Sequence, residues 1–112
     1  MIDYTGFDEK VITMKCVDQD IAGKPMSMQG NDIVKVAVKG DAFLGFGVAE
    51  RGGYATVQVG GFAKVKVGEG DINLGRAVIT ADGKGGVVMS TEGNVVKVLY
   101  YDYETKIAGI IF

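Results

Sequence analysis

Apolar and polar side chains alternate with a period of two along most of this chain, and no window keeps a helical apolar period for three turns without a glycine interrupting it. The alternation predicts strands. The first lies over residues 11–17 and is followed by a loop holding Gly23, Pro25 and Gly30. Residues 33–39 read IVKVAVK, which sets Val34, Val36 and Val38 on one side and Lys35 and Lys39 on the other; Gly40 and Asp41 end the run. A strand over 43–50, loosened by Gly45 and Gly47, leads into a hairpin turn at Arg51, Gly52 and Gly53, where glycines supply positive φ. After residue 67 the loop GEGDINLGRAV offers Ile72 and Leu74 to the interior and Asp71 and Asn73 to solvent. Strands over 77–81 and 87–89 flank the turn DGKGG at 82–86, a further turn covers 90–94, and strands over 95–103 and 106–112 follow.

The stretch GGYATVQVGGFAKVKV, residues 52–67, keeps its parity through a broken middle. Val57, Val59, Ala63, Val65 and Val67 share one face, and Tyr54, Thr56, Gln58, Phe62, Lys64 and Lys66 share the other. This predicts one strand bent sharply at Gly60 and Gly61, a corner of the kind that lets a small sheet curl over and close. Seven or eight short strands joined by glycine-rich turns predict an all-β fold, a single-domain β-barrel or β-sandwich over residues 11–112, with an N-terminal arm over residues 1–10.

Composition sharpens this picture. Eighteen glycines and a single proline in 112 residues disfavour helices, and 47% hydrophobic with 23% charged residues is ordinary for a folded chain with one core. A formal net charge of -2 gives no reason to expect nucleic acid or an anionic membrane as partner. The single cysteine, Cys16, forms no intrachain disulfide and reads as a small buried hydrophobe; without any histidine it lacks the usual activating base. The opening MIDYTGFDEK is acidic and has no apolar core segment, so it does not read as a signal peptide.

Reactive chemistry is hard to find. GEGDINLGR and DGKGG lack the order of Gly, Lys and Ser or Thr of a phosphate-binding loop, and Asp18, Asp20 and Asp32 miss the spacing of a calcium-binding hand. Lys35, Lys39, Lys64 and Lys66 read as a solvated sheet face. No catalytic residue, no metal site and no cofactor is expected, and the chain is not read as an enzyme.

Residues 46–88, FGVAERGGYATVQVGGFAKVKVGEGDINLGRAVITADGKGGVV, resemble the small capsid decoration, or cement, proteins of tailed bacteriophages. The elements typical of that family occur in order: GVA at 47–49, VQVG at 57–60, a valine-rich run at 63–67, the I-x-x-G loop at 72–75 and the ADG-x-G turn at 81–86. The resemblance implies a non-catalytic β protein made in the host cytoplasm and carried on the outer capsid surface of the virion. It would bind the major capsid protein of an expanded head, often as a homotrimer, and tie neighbouring subunits together by avidity. The alternative reading is a β-barrel recognition module that binds a receptor or glycan on a virion or cell surface.

Two contact surfaces are expected. With the valines of the strand over 95–103 facing the core, Tyr101 and Tyr103 have the opposite parity to Val96, Val98 and Tyr100; they are displayed outward beside Leu99, as contributors to self-association. In the N-terminal arm, Ile2, Tyr4 and Phe7 carry more apolar surface than a solvating tail requires and are the expected capsid contacts.

Overall fold

The computed structural model describes residues 10–112, and all the regular structure among them is strand: ten in chain order, β1 Lys10–Cys16, β2 Pro25–Gly30, β3 Ile33–Val36, β4 Gly45–Arg51, β5 Tyr54–Gly60, β6 Phe62–Lys66, β7 Gly75–Ala81, β8 Val87–Met89, β9 Asn94–Asp102 and β10 Ile107–Ile111. The fold is all-β, as the alternation predicts. The strands divide at the centre of the chain into a closed barrel, β1-β3-β2-β4-β5, and a second sheet of five strands, β6-β10-β9-β7-β8.

The barrel closes because β5 serves two neighbours. It pairs antiparallel with β4 through the Arg51, Gly52 and Gly53 hairpin and with β1 from Lys10 opposite Gly60 to Lys15 opposite Tyr54. Within the barrel only β1 and β3 run parallel, over the pairs Lys15 with Ile33 and Cys16 with Val34. The second sheet comes close to the same solution. Its two edge strands meet at a single parallel bridge between Val67 and Val87, where the Gly68 N–H donates to the Val87 carbonyl at 2.8 Å. Exposed sheet edges are thereby reduced to short segments.

Each half has its own core. Cys16, Ile21, Met26, Val34, Ala55 and Val57 fill the barrel. Phe43, Phe46, Val65, Val67, Ile72, Ala77, Ile79, Val87, Val96, Val98, Ala108 and Ile110 form the larger core of the second sheet. Phe46 belongs to the barrel strand β4 but points away from the barrel, with its ring 4.9 Å from Phe43 and 5.1 Å from Phe112. A second tie is polar: the Phe43 N–H donates to Asn94 Oδ1 at 2.9 Å, and Asn94 Nδ2 donates to the Phe43 carbonyl at 2.7 Å. One side chain thus satisfies both backbone groups of a loop residue that would otherwise lose them to burial.

Several expectations need correction. The loop expected around Pro25 contains β2, whose sequence PMSMQG hides a strand behind a proline at its first position, a place where a missing N–H does little harm. The strand expected over 33–39 stops at Val36, so Val38 does not join Val34 in the interior and is 53% exposed. Leu74, expected to face inward with Ile72, is 67% exposed, whereas Ile72 is buried.

Candidate functional site

A concavity lies where the loop between β3 and β4, the end of β6, the β7–β8 turn and the residue before β10 converge. Its volume is about 590 Å³ and its lining contains Lys39, Lys66, Gly68, Glu69, Asp82, Lys84, Val88 and Lys106. Backbone pairing builds it. The Gly40 N–H donates to the Ala81 carbonyl at 2.9 Å, and the Ala81 N–H to the Asp41 carbonyl at 3.1 Å, so the loop carrying Lys39 is laid along the end of β7. The DGKGG turn then folds around Asp82, whose Oδ1 accepts from the N–H groups of Lys84 at 2.6 Å and Gly86 at 2.9 Å. An aspartate that ties its own backbone in this way is a turn former, which is why the sequence at this point reads as a turn.

Lys106 is held most firmly. Its backbone takes a left-handed φ of 58°, and its Nζ donates to the carbonyls of Gly68 at 3.1 Å and Gly70 at 2.9 Å. These carbonyls orient the ammonium without cancelling its charge. Among the described residues, Lys39, Lys66 and Lys84 form no ion pair within 4 Å; the pairs that do form are Lys24 with Asp20 at 3.5 Å and Lys35 with Asp41 at 3.9 Å. Four lysines from four elements therefore line one cleft together with two acidic residues, Glu69 and Asp82. Such a surface can attract and hold an anion.

Sequence reading found this site only in part. Lys39 and Lys66 were visible as half of an expected solvated strip, whereas the structure parts them from Lys35, which pairs with Asp41, and sets them beside Lys84 and Lys106. The turn signature around Lys84 was legible. The position of Lys106 depends on the pairing of β10 with β6, Ile107 opposite Lys66, and no local signal announces that.

The expected self-association residues are not one outward row. A bulge at Leu99 shifts the β9–β10 register, so that Val98 stands opposite Ile110 but Tyr100 stands opposite Gly109. The inserted residue reverses the parity. Tyr101 now lies opposite buried Ala108 and packs against the core, while Tyr100 covers Gly109, where an added Cβ would collide with its ring. Leu99 is 38% exposed, and Tyr103, just beyond β9, is 72% exposed with its ring 4.8 Å from that of Tyr101. Tyr101 also donates through its hydroxyl to Asp71 Oδ1 at 3.3 Å. Ile2, Tyr4 and Phe7, the expected capsid contacts, lie outside the described residues.

The expected corner divides unequally between its two glycines. Gly61 sits between β5 of the barrel and β6 of the second sheet with φ 100°, and it exchanges backbone hydrogen bonds with Phe112 at 3.2 and 3.1 Å. A Cβ on Gly60 would make only ordinary contacts, the nearest being the Phe112 carbonyl oxygen at 3.7 Å. The residue that sequence reading missed is Gln58. Its parity sets it with Tyr54, Lys64 and Lys66, yet it is buried, and its Nε2 donates to the carbonyls of Gly60 at 3.2 Å and Phe62 at 2.8 Å, bracing the bend from inside.

Of the groups singled out by their chemistry, Asp18 and Cys16 are engaged locally and Asp20 pairs with Lys24. Asp18 Oδ2 accepts from the Val36 N–H at 2.8 Å, and Cys16 Sγ lies 3.4 Å from the Asp18 carbonyl. Burial pushes the Cys16 thiol above its ordinary value, an effect that the nearby Asp18 and Glu50 carboxylates reinforce and the contact with the Asp18 backbone opposes. No group of three or more His, Cys, Asp or Glu residues able to hold a metal ion occurs among the described residues. The chain matches no protein-family model and no curated protein.

Proposed function

We propose that this protein is a capsid decoration protein that binds the outer surface of an expanded phage head and stabilises contacts between major capsid subunits. The residues that resemble the decoration family, 46–88, run from β4 to β8 and so build the hairpin, the corner and the turn at the join of the two sheets. The observation that carries the reading is the outer face of the second sheet. There Val78 stands opposite Val95, which is 56% exposed, Arg76 stands opposite Lys97, and Leu74 and Leu99 lie nearby in solvent. Apolar side chains held in water on a small rigid sheet suit a protein that acts by covering another surface. A pair of like charges directly across a ladder is unfavourable in the free sheet and is relieved by an opposing partner. Leu99 and Tyr103 suit self-association as a trimer, with Tyr101 positioning Tyr103 from the core side.

Co-sedimentation with purified heads tests this. Saturable binding to expanded heads with little binding to unexpanded ones is expected, and heads loaded with the protein should withstand heating or chelation better than bare heads. Equal binding to both forms, or none, would overturn it.

A second reading, a glycan or receptor module, is favoured by a shallow cavity of about 340 Å³ beside the β4–β5 hairpin, lined by Thr13, Glu50, Arg51, Tyr54 and Thr56. Tyr54, 51% exposed, would offer a sugar its ring face there. Glycan-array binding that Tyr54→Ala abolishes would select it.

A further inference from the structure

The cleft of four lysines asks for an occupant. In a chain whose formal charge is -2 it gathers four ammonium groups against two carboxylates. Four positive against two negative charges leave the lining at a formal +2, and the bonds that Asp82 accepts from the N–H groups of Lys84 and Gly86 fix its carboxylate without removing its charge. The cations arrive from the β3–β4 loop, β6, the β7–β8 turn and the residue before β10, so their convergence comes from tertiary structure and not from a local charge run. Lys106 is pinned by two carbonyls, whereas Lys39, Lys66 and Lys84 are exposed and form no ion pair among the described residues. One fixed ammonium beside three adjustable ones suits an anionic group that enters from solvent.

The shape and surroundings of the cleft select the kind of anion. No aromatic ring lines it to stack a base, which disfavours a nucleic acid strand as occupant. A volume of about 590 Å³ with Val88 in its wall fits a few side chains of a protein segment, carboxylates toward the lysines and methylenes along the valine. We infer that the cleft is a receptor site for an acidic, carboxylate-bearing segment of a protein partner. The inference deepens the decoration reading and rests on it only for the identity of that partner, a capsid subunit. Binding there would also brace the molecule, since the cleft spans the single Val67–Val87 bridge that joins the edges of the second sheet.

The test is a titration of the full chain with a hexaglutamate peptide at low ionic strength, followed by amide chemical shifts. Saturable shifts at residues 66–68, 84–86 and 106 are expected. In a Lys66→Gln, Lys84→Gln double variant the affinity should fall about tenfold. Both side chains are exposed, so the variant should keep the parent's melting temperature, and Lys39→Gln offers an independent check with a smaller loss. Peptide shifts scattered over the surface, an affinity unchanged in the variants, or shifts produced by inorganic phosphate but not by the peptide would each overturn the inference. A Lys66→Glu, Lys84→Glu variant is then offered to expanded heads: release of the variant where the parent is retained supports the assignment, and equal retention overturns it. If the parent itself fails to bind heads, the decoration reading fails while the peptide titration still decides the cleft.

Discussion

The barrel and the second sheet are both five-stranded, yet they solve the burial problem differently. The barrel closes completely around a small core in which two sulfur-bearing residues, Cys16 and Met26, sit with Ile21 and Val34. The second sheet closes through one bridge only and carries the larger core, anchored by rings, and it borrows Phe43 and Phe46 from the barrel side to complete it. A sheet that cannot cover itself is stabilised by its neighbour. The barrel core includes no residue of β6 to β10, so the coupling of the two sheets runs through the Phe43 and Phe46 rings, the Asn94 amide and the Gly61 corner.

Substitution at the borrowed ring should have the largest effect. Phe46→Ala is expected to destabilise the protein by about 3–5 kcal/mol, and Val57→Ala, inside the barrel, by about 1–3 kcal/mol. Chemical denaturation of the two variants measures both; equal losses would show that the borrowed ring is no special anchor. The corner comes next. Gly61→Val should cost several kcal/mol, roughly 2–4, because a β-branched residue must take a positive φ there. Gly60→Ala should cost less than about 1 kcal/mol, in keeping with the ordinary contacts an added Cβ would make there. A thermal melt of Gly61→Val that matches the parent would show that the chain does not need this conformation to pass between the sheets.

The polar tie should matter less than the rings. Asn94→Ala removes both hydrogen bonds to Phe43 and leaves a backbone N–H and carbonyl without their partner, at a cost of about 1–3 kcal/mol. Asn94→Asp keeps the acceptor and loses the donor, and should fall between the two in the same denaturation series.

The smallest effect is a pH dependence in the barrel core. Burial raises the Cys16 thiol above its ordinary value, so above about pH 8.5 the unfolded chain releases this proton while the native chain keeps it. The unfolded state then binds fewer protons, and stability falls as pH rises. Below that range the thiol contributes no pH dependence. The stability of the parent relative to Cys16→Ala should therefore decline between pH 7 and pH 10, and a constant difference would remove the thiol from the account.

The strands were largely legible, because alternation is written locally in runs such as IVKV and TVQV and glycines punctuate them. What escaped were features decided by distant pairing. β2 alternates only over Met26 to Gln29, a run too short between Pro25 and Gly30 to announce a strand, and it exists because β3 and β4 offer it partners. The Leu99 bulge, which turns Tyr101 inward, follows from the fit of β9 against Gly109 and Ile110. Gln58 looks like a solvent-facing strand residue until the corner presents two carbonyls to it. The cleft was half legible for the same reason: lysines appear in the sequence as separate charges, and only the topology brings four of them to one mouth.

All of this rests on the claim that the two sheets form one cooperative unit, joined by the Gly61 corner, the Phe46 ring and the Asn94 amide. Differential scanning calorimetry of the full chain tests it most directly. A single transition whose calorimetric and van't Hoff enthalpies agree is the predicted result. Two resolved transitions, with the second sheet melting while the barrel persists, would contradict it.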